Sequence, residues 1–286
     1  MSTHTISYDP TATFDLKVIE ETYRTVDGED WPVRIYQPQG TGPFPAMIGI
    51  HGGAWANGTN RDNERIDRAI AETGIVVAAI AMRQAPQHPY PAQVNDANYG
   101  TRWLKANAAR LNADPTTVGG FGTSSGGHTL MLSALSATDP TFADDAVPGG
   151  EDRDATLEYA VLGWPVLDSW ARYQYAVEAG QERLKTNTEN YFKTEDAMRE
   201  GNPQRVLERG AQVGTPPVLI LQGTNDSNVP LAISERFVET YTAAGGSAQR
   251  ELFPGMPHGF ARDPGPETDR AIALMKAFLA EQLNRA

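Results

Sequence analysis

The chain has 286 residues, a formal net charge of −12 and no cysteine. That length suits one large α/β domain or two small ones, with a sizeable core either way. Missing thiols exclude disulfides, thiolate metal sites and cysteine nucleophiles, and the acidic balance argues against nucleic acid or anionic membranes as partners, since phosphates demand clustered Lys and Arg. No apolar run approaches the roughly 18 residues that a membrane-spanning helix needs. Residues 1–13 are polar and lack the basic start and apolar segment of a secretory signal, so a cytoplasmic location is expected.

In chain order, residues 16–25 and 31–37 alternate apolar and polar side chains around Asp27-Gly28-Glu29-Asp30, which predicts an antiparallel hairpin. Residues 45–50 are a continuous apolar strand, as expected in a sheet covered on both faces, and run into His51-Gly52-Gly53-Ala54-Trp55. A helix over 60–72 and a second buried strand over 75–81 follow. The proline-punctuated loop 83–92 leads into a helix over 93–109, with Val94, Ala97, Trp103 and Leu104 as core positions. Residues 117–121 form a short strand, then a sharp turn with Ser124 at its tip, then a helix over 126–137. The acidic pairs at 144–145 and 151–154 predict a solvated loop. A buried strand over 159–166 ends near Asp168. Residues 169–214 are mostly polar and studded with aromatics, which predicts helical insertions outside the core. The sheet resumes at 217–222, followed by a helix over 231–244, a strand over 248–253, a loop with His258 and a helix over 267–283.

Strands alternating with helices predict a mainly parallel, doubly wound sheet opened by an antiparallel pair. In such sheets the active site lies at the carboxyl ends of the strands, where Ser124, Asp168, Asp226 and His258 all fall. Gly122-Thr123-Ser124-Ser125-Gly126 fits G-x-S-x-G, the turn that holds a nucleophilic serine in strained geometry. In the competing frame Ser125 is the nucleophile, but Thr123 then stands where the first glycine belongs. A serine hydroxyl needs a base, and the base an orienting acid. Of five histidines (His4, His51, His88, His128 and His258), only His258 occupies a loop between the last strand and the last helix, which makes it the candidate base. Asp226, after the penultimate strand, is the favoured acid and Asp168 its rival, since chain order admits either. The backbone N–H groups of Gly52, Gly53 and Ser125 are candidates for the oxyanion hole. Trp55, Trp164 and Trp170 are candidates for the substrate pocket, whose aromatic walls predict short acyl chains, roughly two to six carbons.

Together these motifs resemble the α/β-hydrolases of the esterase/lipase group related to hormone-sensitive lipase. His51-Gly52-Gly53-Ala54-Trp55 resembles the H-G-G-G oxyanion motif, with Ala54 in place of the third glycine; H-G-G-x-W is more similar to kynurenine formamidases and small bacterial carboxylesterases. The 83–92 loop resembles Y-R-L-A-P-E-H-P-F-P-A, and the G-x-x-D-x-x-V-P and P-H-G-F motifs surround Asp226 and His258. The resemblance covers about residues 33–283. It implies a single α/β-hydrolase domain with a helical cap from about 139–215. It also implies a serine carboxylic-ester hydrolase acting on a small-molecule ester through an acyl-enzyme, with no metal or organic cofactor and a homodimer as one admissible assembly. The alternatives are an arylformamidase using the same triad and a non-catalytic hydrolase-fold binding protein.

Overall fold

The first two strands, β1 (Leu16–Val26) and β2 (Glu29–Pro38), make the expected hairpin. Asp27 and Gly28 join them at φ 53° and 83°, the two-residue turn whose twist matches that of its strands. The molecule, a computed structural model, is described for residues 8–210 and 213–285, so His4 and the first part of the polar start fall outside it. After the hairpin come β3 (Ala46–Ile50), β4 (Val76–Ile80), β5 (Gly119–Thr123), β6 (Ala160–Gly163), β7 (Val218–Gly223) and β8 (Ala248–Phe253). Their order in the single sheet is β1-β2-β4-β3-β5-β6-β7-β8, and β2 alone runs against its neighbours.

Strands β3 to β7 are buried at every residue, which is why their sequences are apolar and glycine runs, interrupted only by Thr123 and Gln222, and not alternating ones. The two-residue pleat sends Met47, Val77, Phe121, Val161 and Leu219 to the face covered by α1 (Glu64–Ala71) and α9 (Pro266–Leu283). It sends Ile48, Ile80, Leu162 and Ile220 to the opposite face, covered by α2 (Ala92–Asn107), α3 (Ser125–Leu135) and α8 (Leu231–Ala243). Each such side chain, removed from water, contributes about 1.5–3 kcal/mol. No helix among the described residues is long and apolar enough to cross a membrane.

Two expectations need correction. Between β6 and β7 lie α4 (Ser169–Glu178), α5 (Glu182–Phe192), α6 (Glu195–Glu200) and α7 (Pro203–Glu208). These helices do enter the core: Tyr191, Phe192, Met198 and Leu207 belong to the same buried cluster as β3 and β4. The polar composition of α5 conceals one inward stripe of Leu184, Thr188, Tyr191 and Phe192, at helical spacing. The acidic loop is not simply solvated either. Asp144 and Asp145 accept from Arg24 Nη2 at 2.8 and 2.7 Å, and Arg24 Nη1 donates to Asp96 at 2.8 Å. Asp96 also accepts from Arg83 Nε at 2.9 Å, so the loop, β1 and α2 are stapled through charge.

Candidate active site

Ser124 links β5 to α3 at φ 53° and ψ −120°, a backbone that costs a non-glycine residue about 1–3 kcal/mol. Its glycine neighbours make room for the turn. A Cβ on Gly122 would lie 2.7 Å from the Gly126 carbonyl oxygen, and one on Gly126 would lie 2.3 Å from that of His51. The strained residue is held from both sides: its N–H donates to Gly163 at 2.9 Å, and its carbonyl accepts from Val166 at 3.0 Å.

From that turn, Ser124 Oγ lies 2.9 Å from His258 Nε2. His258 Nδ1 lies 2.9 and 3.0 Å from the two Asp226 oxygens. A carboxylate only accepts, so Nδ1 carries the proton and Nε2 presents its lone pair to the serine hydroxyl. Asp226 is fixed in turn by the N–H groups of Asn228 and Val229, each at 2.9 Å, and its side chain is wholly buried. Asp168 is placed differently. It caps α4, accepting from Ala171 N–H at 3.0 Å and from Asn202 Nδ2 at 2.8 Å. A position just after a strand does not separate an aspartate that caps the next helix from one that faces a histidine.

The competing serine also turns elsewhere. Ser125 is buried, and its Oγ accepts the Trp55 N–H at 3.2 Å. Gly52 abuts the elbow, since a Cβ there would lie 3.1 Å from Ser124 Cβ. At Gly53, φ is 116° and a Cβ would meet Asn57 O at 1.9 Å, so only glycine fits. Ala54 and Trp55 continue at φ 52° and 59°, where side chains are strained. Trp55 offsets this by its bonds. Its carbonyl accepts from Ala85 N–H at 3.0 Å and Gln93 Nε2 at 2.9 Å, and its indole N–H donates to His128 Nδ1 at 3.2 Å.

The expected aromatic pocket therefore needs revision. Trp55 has no exposed surface; it stacks on Tyr191 with centroids 5.3 Å apart and anchors the glycine turn instead of walling a cavity. Trp164 is equally buried and packs edge-on against Phe260 at 5.3 Å and His258 at 6.3 Å. Trp170 is half-buried, with the Arg199 guanidinium 3.8 Å from its ring centroid. An aromatic near a site reads the same in sequence whether it lines the pocket or packs the backbone that shapes it.

Two neighbours escaped the motifs. His128, one helical turn beyond Ser124, donates through Nε2 to the Gly201 carbonyl at 2.7 Å, and burial lowers its pKa to about 4, keeping it neutral. Arg172 of α4 sits with its guanidinium carbon 5.1 Å from the Trp55 ring centroid, and no sequence pattern marks it. Among the described residues no group of three or more His, Asp or Glu is placed to hold a metal ion.

Comparison with known proteins agrees with this architecture. A family model described as BD-FAE matches residues 33–241. The chain is 27% identical to Esterase LipC of Mycobacterium tuberculosis, over 86% of this chain and 60% of LipC. It is 29% identical to Carboxylesterase NlhH of the same organism, over 91% of this chain and 83% of NlhH. It thus spans little more than half the length of LipC and of the probable carboxylic ester hydrolase LipM, at 60% and 55%. The apo form of Thermogutta terrifontis esterase 2 superimposes with a TM-score of 0.75 at 25% identity, over 96% of each chain. With the family model spanning β2 to α8 and the fold built around the Ser124 elbow, the chain belongs to the BD-FAE family, within the esterase/lipase group of α/β-hydrolases.

Proposed function

We propose that the chain is a serine carboxylic-ester hydrolase working through an acyl-enzyme. One observation carries the reading: the unbroken line from Ser124 Oγ through His258 to Asp226, with contacts of 2.9 Å and 2.9–3.0 Å. In the first half-reaction Ser124 Oγ attacks the ester carbonyl carbon while His258 Nε2 takes its proton. The carbonyl π electrons move to oxygen, which the backbone N–H groups of Gly52, Gly53 and Ser125 receive. Asp226 stabilises the imidazolium through Nδ1. Collapse of the adduct breaks the bond to the leaving alkoxide, His258 returns the proton, and the alcohol departs. Water then repeats the sequence on the acyl-enzyme and releases the acid. Fixed backbone donors of this kind contribute about 10²–10³ each in kcat.

The names of LipC and NlhH support the bond class. Helices α4 to α7 serve as the cap. Tyr175 Oη and Gln181 Nε2 donate to the Ser227 carbonyl at 3.0 and 2.7 Å, which ties α4 and the start of α5 to the Asp226 loop. The reading includes a preference for short acyl chains of roughly two to six carbons, supported by Trp55 and Ala54 beside the glycine turn being already packed on Tyr191, Ala176 and Leu184. Ser124→Ala should fold and lose about 10³-fold or more in kcat/KM on p-nitrophenyl butyrate, since the triad acts as a unit. An organophosphate should expel its leaving group and add the mass of its phosphoryl group to the wild type alone. Undiminished turnover in the variant, or rates that climb steadily to the decanoate, would overturn the mechanism or the chain-length preference respectively.

A further inference from the structure

Arg172 is only 2% exposed, yet no carboxylate pairs with it among the described residues. Its Nη2 donates to Thr188 Oγ1 at 2.9 Å and its Nε has no partner. Burial, and then the like charge of Arg183, lower its pKa to about 10, so the guanidinium remains charged at neutral pH. The other buried arginines, Arg24, Arg83 and Arg102, sit among Asp96, Asp144 and Asp145. Burying an uncompensated cation is costly, and neither an indole face nor a single hydroxyl replaces a counter-ion.

Its place in the fold gives this vacancy in charge a meaning. Ala54 of the glycine turn packs on Ala176 and Leu184, which belong to α4 and α5. Arg172 precedes Ala176 by one helical turn and lies over Trp55, the residue bonded to Ser125. A cation lacking its anion thus lies against the indole of Trp55, a residue whose backbone N–H reaches Ser125 Oγ beside the elbow.

We propose that Arg172 sets substrate specificity by recognising a carboxylate carried on the ester. The substrate class is then half-esters of dicarboxylic acids or esters of hydroxy acids. This rests on the ester-hydrolase reading above. A guanidinium's planar fork fits a carboxylate through two parallel N–H bonds, which suits recognition at fixed distance from the scissile bond. The chain's net charge of −12 repels anions at long range, so selectivity for one demands a local cation. Because the guanidinium is only 2% exposed, this recognition requires α4 and α5 to move away from Ala54 and Trp55 when the carboxylate enters.

The test compares kcat/KM within two matched pairs: monoethyl against diethyl succinate for a carboxylate on the acyl side, and O-butyrylglycolate against O-butyrylglycolamide for one on the alcohol side. The wild type should favour the charged member of one pair, which identifies the side. Arg172→Met should lower that charged-to-neutral ratio by about tenfold or more, chiefly through KM, as expected for a lost charge-assisted bond. Arg172→Lys, which keeps the charge without the fork, should lose part of it. Preference for the neutral member in both pairs, or an equal fall for both members in Arg172→Met, overturns the proposal. If the Met variant does not fold, inhibition of wild-type p-nitrophenyl butyrate turnover decides. Succinate inhibiting more strongly than butyrate, or glycolate more strongly than glycolamide, supports the assignment, and equal inhibition within both pairs overturns it. No turnover of p-nitrophenyl butyrate at all sinks the ester reading, and the Arg172 proposal with it.

Discussion

Arg24 and Arg172 are buried to the same 2% exposure and resolve that burial in opposite ways. Burial alone would ease the proton off Arg24, but the carboxylates of Asp96, Asp144 and Asp145 more than reverse this, and the guanidinium holds its proton more tightly than usual. Burial pushes the Asp96 carboxyl upward as well, and contacts from Arg83 and Arg24, including the Arg83 backbone N–H at 2.8 Å, offset only part of that rise. Arg172 has no such set, and burial prevails. The first site lies where β1, α2 and the 139–159 loop meet, the second where α4 and α5 meet the glycine turn. Degree of burial therefore says nothing about the role of a charge until its partners are counted.

The sharpest way to break this comparison is at Asp96. Asp96→Asn leaves Arg24 and Arg83 without their shared buried anion and should destabilise the protein by about 3–5 kcal/mol in urea unfolding. A loss below about 1 kcal/mol would mean that Asp144 and Asp145 suffice.

His128 extends the comparison to a group that escapes burial by staying neutral. Its folded pKa of about 4 lies below the ordinary histidine value of 6.5, so the unfolded chain binds the proton first as pH falls. Stability is therefore full above about pH 6.5 and declines towards pH 4, by up to about 3 kcal/mol from this group. Urea midpoints across that window should fall less steeply in His128→Gln than in the wild type. His51, also lowered by burial, adds a slope of the same sign in both proteins.

The smallest effect is expected at Arg172 itself. Because its charge is uncompensated, Arg172→Met should leave stability within about 1 kcal/mol of the wild type, or raise it. A loss near 3 kcal/mol would place Arg172 with Arg24 as a purely structural cation.

Much of this molecule was legible in the sequence because its central strands are buried on both faces and announce themselves as apolar runs. Gly122, Ser124 and Gly126 were legible because a strained turn restricts what can flank it, and His258 because its loop position was unmatched. The aspartates were not separable by position alone, since Asp168 and Asp226 both follow strands and differ only in what their oxygens accept. The indoles misled for a related reason: residues at helical spacing along α5 close over Trp55, and nothing in composition reveals which apolar surface meets which. Arg172 was illegible because its distinction is the lack of a partner, which exists only once the chain has folded.

Arg24 has a further consequence, at the border of the sheet. β1 is an outermost strand of 11 residues, long enough to offer a row of unpaired backbone groups to another chain. Its pairing with β2 slips between Thr22 and Arg24, and at that point a charged side chain turns inward to its carboxylates. An irregular, twisted border with a charge anchored beneath it is a poor template for a flat intermolecular ribbon. The same ion cluster that fastens the loop to the core thus also guards the protein against edge-on aggregation.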